Sequence, residues 1–159
     1  MNILIIDDDQ SIHSSLGFTL QKRNHFCYQA LNGKEAIEIY QKWSIEVCFI
    51  DYLLPDINGI ELMEKIRGLL PEALFVFITG AADISVAVEA IQKGAFDFIE
   101  KPLSVDRIKI VLDKAKRELS QKTKVEYLKD KLHQVIDDNI IGNGFKLRAA
   151  MDVLKKVAQ

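Results

Sequence analysis

Five short apolar runs, each followed by a longer amphipathic stretch, restrict this chain more than any other feature of its sequence. The runs are read as strands at 2–6, 26–30, 46–50, 74–78 and 95–99, and the stretches as helices at 10–22, 34–43, 59–69 and 84–93, with a fifth starting near Ser104. Ile3-Leu4-Ile5-Ile6, Val47-Cys48-Phe49-Ile50 and Leu74-Phe75-Val76-Phe77-Ile78 are apolar at every position, so both faces of these strands must be covered. Helices on both sides of a parallel sheet do this, and the three runs are predicted to be its central strands. Asp9, Asn58 and Ser104 are suited to cap the helices that follow them.

One compact domain with a helical appendage fits the 159 residues. Cys27 and Cys48 are too few to staple a fold and are expected to be reduced thiols of a cytosolic protein. The amino terminus lacks a basic leader, and no apolar run approaches the roughly 18 residues of a membrane span, so neither a signal peptide nor a membrane partner is expected. The formal charge of −2 averages over unlike segments. Residues 1–103 carry 8 basic and 15 acidic groups, 104–136 carry 9 and 5, and 137–159 carry 4 and 3.

The fifth helix continues past the point where such a domain should end. Apolar residues recur at 105, 108, 112, 115 and 119 and again at 125, 128, 132 and 135, a heptad pattern with a six-residue step around Lys122. No Gly or Pro lies between Pro102 and Gly142, so helix is expected through about residue 136. A single amphipathic helix lying on its own domain would show the same pattern. A self-associating coiled coil is the expectation adopted, with a homodimer joined through this helix.

Polar residues at the strand ends form the second pattern. Asp7 and Asp8 follow the first strand, Asp51 the third, Thr79 the fourth and Lys101 the fifth, whereas the second ends in a plain Asn32-Gly33 turn. In a doubly wound sheet of order 2-1-3-4-5, ligands bind at the carboxyl ends of the strands beside the switch point, and strand two is an edge. The four loaded strands are those that surround one crevice there. Three clustered carboxylates are unfavourable unless one takes a proton or a cation is bound, and oxygen ligands favour a hard cation, Mg²⁺ above all. A lysine and a threonine hydroxyl are what a phosphoryl group on a carboxylate would need around it.

Together, Asp7-Asp8, the run Asp51-Tyr52-Leu53-Leu54-Pro55-Asp56-Ile57-Asn58-Gly59, Thr79-Gly80 and Lys101-Pro102 resemble the receiver domains of bacterial two-component response regulators, over residues 1 to about 118. The resemblance implies a flavodoxin-like five-stranded sheet in the order 2-1-3-4-5, a cytoplasmic location and phosphorylation by a sensor histidine kinase. It makes Asp51 the phosphoacceptor. Asp8, Asp51 and the Leu53 carbonyl would bind Mg²⁺ directly, and Asp7 would bind it through water. Thr79 and Lys101 would hold the phosphoryl oxygens, Phe98 would be the switch aromatic that follows Thr79, and the Lys101-Pro102 bond would be cis. Leu53 and Ala81 would flank the hydrolytic water. Asn58 stands where aspartate is commoner in the family.

A second resemblance concerns the end of the chain. Ile140-Ile141-Gly142-Asn143 and the amphipathic run from Lys146 to Ala158 are similar to the start of the AAA+ ATPase domain of sigma-54-dependent activators. The expected organisation is a receiver over 1–118, a coiled-coil linker over 119–138 and the beginning of an ATPase domain over 139–159. No G-x-x-x-x-G-K-[ST] loop occurs, so this chain by itself is not expected to bind or hydrolyse ATP in that manner, and a signalling role rather than an enzyme is the expectation. DNA and sigma-54 RNA polymerase would be reached only through domains absent from it. A stand-alone receiver or phosphorelay protein is the alternative. An aspartate-nucleophile phosphatase would carry an acid where Leu53 stands, and a DNA-binding reading of Arg107 to Lys131 is weakened by the interleaved acids.

Overall fold

The computed structural model describes residues 1–69, 73–80 and 84–140, without the side chains of 84 and 134–140. Ala81 and the run from Lys146 to Ala158 therefore lie outside the described residues, as does the side chain of Val135 in the heptad seam. Strands β1 (Asn2–Ile6), β2 (Phe26–Ala30), β3 (Val47–Asp51), β4 (Leu74–Thr79) and β5 (Asp97–Glu100) alternate with helices α1 (Gln10–Gln21), α2 (Gly33–Lys42), α3 (Gly59–Leu69), α4 (Ile84–Gln92) and α5 (Val105–Ile140). All four strand pairings are parallel, in the order β2-β1-β3-β4-β5. Every residue of β3 and β4 is buried, as expected of strands covered on both faces, whereas the edge strand β2 exposes Phe26 and Gln29.

Leu4, Ile6, Cys48, Ile50, Phe75 and Phe77 share a core with Ala36 and Tyr40 of α2 and Leu62, Met63 and Ile66 of α3. The alternate strand residues Ile3, Ile5, Val47, Phe49, Val76 and Ile78 are equally buried on the opposite face. Local capping fixes where the helices start. Asp9 accepts a hydrogen bond from Ser11 N at 2.8 Å, and Asn58 Oδ1 accepts one from Ile60 N at 2.7 Å, so asparagine preserves the α3 cap. Asp56, in the β3–α3 loop, accepts from Gly33 N at 2.8 Å and Lys34 N at 2.9 Å, which ties that loop to the start of α2. Burial pushes the Asp56 carboxyl up, but the hydrogen bonds from Gly33 N and Lys34 N, with the Lys65 charge, together outweigh it and hold the group below its usual range.

The far end of α4 is held as firmly. Gly94 takes φ +94°, and Gly94 N and Ala95 N donate to the carbonyls of Ile91 and Ala90 at 2.9 and 2.8 Å. Arg67 of α3 then donates to the Lys93 and Gly94 carbonyls at 2.9 and 2.7 Å, and Glu64 pairs with Lys93 at 3.1 Å.

The heptad reading needs one correction. Ile108, Leu112 and Ala115 are buried in the domain that the sheet forms, together with Val111, so they cannot face a second copy. The same stripe serves two purposes, and periodicity carries no record of which surface covers it. Beyond this point Val125 and Leu128 are exposed and Leu119 and Leu132 half-buried, leaving an open seam only from Leu119 onward. The chain divides into two compact units, the first ending at Ala115. Among the described residues, no helix is long and apolar enough to cross a membrane.

Gly59 offers a direct test of the packing. A Cβ there would run into the Asp51 carbonyl oxygen and approach Tyr52 Cα to 3.1 Å, and neither backbone atom can retreat easily from the end of a paired strand. Gly59→Ala should therefore cost about 1–3 kcal/mol in urea unfolding, as overpacking does. Gly68→Ala in the same helix meets nothing within 4 Å and should instead stabilise by a few tenths to about 1 kcal/mol. Equal effects of the two substitutions would refute the packing account.

Candidate functional site

The carboxyl ends of β1, β3, β4 and β5 bring four of the sequence-predicted residues into one place. Asp7 follows β1, Asp51 and Thr79 are the last residues of β3 and β4, and Lys101 follows β5. Lys101 Nζ lies 2.8 Å from Asp51 Oδ1 and 3.0 Å from Asp7 Oδ2. One ammonium thus bridges two carboxylates that come from different strands. Lys101 N donates to the Thr79 carbonyl at 2.7 Å, which carries the β4–β5 pairing one step further, and the Lys101-Pro102 bond is cis.

Asp7 is completely buried. Its Oδ1 accepts from Asp9 N at 2.9 Å, whereas its Oδ2 has no hydrogen-bond partner and is left with the charge of Lys101 Nζ at 3.0 Å. A buried carboxylate oxygen satisfied only by charge is a place where a cation is stabilised. Burial raises the Asp51 carboxyl above its usual range; the Lys101 hydrogen bond opposes this, and the Asp7 charge adds to it. Burial alone would lower the Lys101 ammonium, but its hydrogen bond to Asp51 and the adjacent charges of Asp51 and Asp7 outweigh that and raise it.

Asp8 is exposed, and among the described residues no set of three or more His, Cys, Asp or Glu side chains closes into a metal cage. Lys101 instead fills the gap between the two buried acids. Two carboxylates with the Leu53 carbonyl are nevertheless a sufficient oxygen set for Mg²⁺, which usually keeps several waters. Leu53 N donates to Asp51 Oδ2 at 3.0 Å, while the Leu53 side chain is 69% exposed at the mouth of the site. Thr79 is buried and Phe98 is 38% exposed. Phe98 is paired with Phe77, and since side chains two residues apart share a sheet face, Phe98 and Thr79 lie on the same one.

His13 has a role that sequence reasoning missed. Its Nε2 lies 2.6 Å from the Asp7 carbonyl oxygen, which can only accept, so this nitrogen carries the proton. A buried imidazole thus holds the Asp7 backbone from behind. No motif marks it, because the contact joins α1 to the end of β1 through space.

A parallel 2-1-3-4-5 sheet with two buried acids and a lysine at its carboxyl edge defines a class of signalling domain, and comparison with known proteins agrees. The chain belongs to the response regulator receiver domain family, which it matches over residues 3–113. It is 34% identical over 151 residues to the sensory transduction protein LytT of Oceanobacillus iheyensis, covering 89% of this chain and 61% of that protein. It is 28% identical to the regulatory protein AtoC of Escherichia coli, over 99% of this chain and 34% of AtoC. Among solved structures, the beryllofluoride-activated NtrC4 receiver domain dimer is 32% identical, with a TM-score of 0.69 over 74% of this chain and 97% of that one. The chain therefore spans about a third to three-fifths of the length of these curated relatives.

Proposed function

We propose that this receiver domain is switched by transfer of a phosphoryl group from a histidine kinase to Asp51. The observation that carries the reading is the ammonium of Lys101 held between Asp51 and Asp7 at 2.8 and 3.0 Å. An Asp51 oxygen attacks the phosphorus as the bond to the donor breaks. With phosphohistidine the P–N bond breaks and the imidazole leaves; with acetyl phosphate a P–O bond breaks and acetate leaves. Lys101 faces the oxygens on which charge remains, and Thr79 offers a hydroxyl beside them. Asp7, Asp8, Asp51 and the Leu53 carbonyl would hold Mg²⁺, which supplies charge neutralisation for the phosphoryl oxygens when bound.

The phosphoryl oxygens draw Thr79 inward, and Phe98, on the same face of the adjacent strand, moves into the vacated space. Incubation with radiolabelled acetyl phosphate, with and without Mg²⁺, tests the chemistry. Label retained only with Mg²⁺ supports the reading, and absence of label in both conditions overturns it.

We extend this proposal to dimerisation, a downstream domain and a reducing cytoplasm, consistent with the free thiols Cys27 and Cys48. The open seam of Leu119, Val125, Leu128 and Leu132 is the candidate dimer contact, and the phase break near Lys122 keeps the pairing weak. A sigma-54-type transcription-activating ATPase domain is the proposed output, reaching DNA and polymerase outside this chain. Sedimentation should show a dimer that is lost when the chain is cut after residue 118, the end of the predicted receiver. A monomer at high micromolar concentration in both phosphorylation states refutes the seam.

A further inference from the structure

Phe98 leaves a large apolar ring in solvent beside the site, but the ring is not without a neighbour. Arg107, in the first turn of α5, puts its Cζ 6.0 Å from the ring centroid. The same guanidinium donates through Nη2 to Asp97 Oδ1 at 2.7 Å and to the Phe98 carbonyl at 3.1 Å. Asp97 is buried, and its other carboxylate oxygen takes Lys114 Nζ at 3.0 Å. Alternation along β5 turns Asp97 and Ile99 to one face of the sheet and Phe98 to the other. Because β5 is an edge strand, Arg107 reaches round the edge from the Asp97 side to the ring. Asp97 and the backbone carbonyl remove the freedom that a surface arginine ordinarily keeps, leaving a fixed planar cation against the outward ring.

We propose that Arg107 is a positioning residue that retains Phe98 in its outward place and thereby sets the resting fraction of the activated packing. The proposal rests on the Thr79–Phe98 reading above. When the ring swings inward it leaves the guanidinium, whereas the bonds to Asp97 and the Phe98 carbonyl need not change. Only the ring contact then differs between the two packings, and only a differential contact shifts their populations. A cation facing an aromatic ring at an exposed site shifts such an equilibrium by about two- to fivefold. Lysine would keep the charge near Asp97 but not the flat surface.

Beryllofluoride, a phosphoryl mimic, titrated with Mg²⁺ into the full chain and followed by backbone amide NMR, tests the retention. Arg107→Ala should bind it about two- to fivefold more tightly than the wild type, and Arg107→Lys should shift in the same direction. In a Phe98→Leu background, Arg107→Ala should no longer change the affinity, which separates retention of the ring from a general effect of the charge. Unchanged affinity in Arg107→Ala, or an equal change in the Phe98→Leu background, overturns the proposal while leaving phosphorylation at Asp51 intact. If beryllofluoride does not bind the wild type, or binds Asp51→Asn equally well, the site reading fails and the role of Arg107 fails with it.

Discussion

Asp51→Asn should reduce labelling by acetyl phosphate to background. The substitution preserves size and one hydrogen-bond acceptor but exchanges a carboxylate oxygen for an amide, which is not a nucleophile toward phosphorus. The two buried acids are not interchangeable. Asp7 is enclosed, with one oxygen bonded to Asp9 N and the other turned to Lys101, whereas Asp51 retains part of its surface in solvent. A donor can therefore approach Asp51 but not Asp7. Removing the Asp51 charge also frees Lys101 from half of its bridge, so the variant should fold. Intact-mass and circular-dichroism measurements on the same sample would separate a missing acceptor from a missing fold. Undiminished labelling would move the acceptor to another residue and end the assignment.

The second large effect concerns how long the phosphoryl group stays. Hydrolysis of an aspartyl phosphate needs a water in line with the phosphorus, and a polar side chain that orients it and shares its proton can contribute on the order of tenfold to 10⁴-fold. Leu53 offers no hydrogen bond, its amide is already engaged with Asp51 Oδ2, and its side chain is exposed at the mouth of the site. Ala81, two residues beyond Thr79, likewise has no polar side chain. We expect a phosphorylated lifetime of minutes to hours. The double variant Leu53→Asn with Ala81→Glu should shorten it by roughly tenfold or more. Decay of acid-precipitable label after removal of the donor measures this directly. A half-life of seconds in the wild type, or a double variant no faster, would show that these two positions do not control the water.

The strands were legible because their burial is written into consecutive apolar residues: β1 and β2 lie at the predicted positions, and β3 and β4 agree within a residue. Strand β5 was read two residues too early, since Ala95 and Phe96 continue the apolar run although pairing begins at Asp97. The crevice residues were legible jointly, each standing just after or at the end of a strand that the fold brings to one edge. Residues acting through space were not. Arg107 and His13 belong to helices whose spacing reports only helical periodicity, and their partners Phe98 and Asp7 lie on separate elements. The fifth helix shows the same limit in reverse. Its stripe was correctly read as apolar, but Ile108, Leu112 and Ala115 are used by their own domain.

The grip of Arg67 on the Lys93 and Gly94 carbonyls gives α4 the mechanics of a lever with its fulcrum at the carboxyl end. Any motion that begins at the Thr79 end of β4 reaches this helix at the opposite end, near Ile84. A nine-residue rod pinned at one tip would swing about it, with displacement shrinking from its first turn toward Gln92. In such a swing Val88 would travel an intermediate distance and Ile91 the least. A partner that senses the state of the domain through α4 gains most by touching its leading turn, while one that only needs to stay bound in both states is better seated near the pinned end.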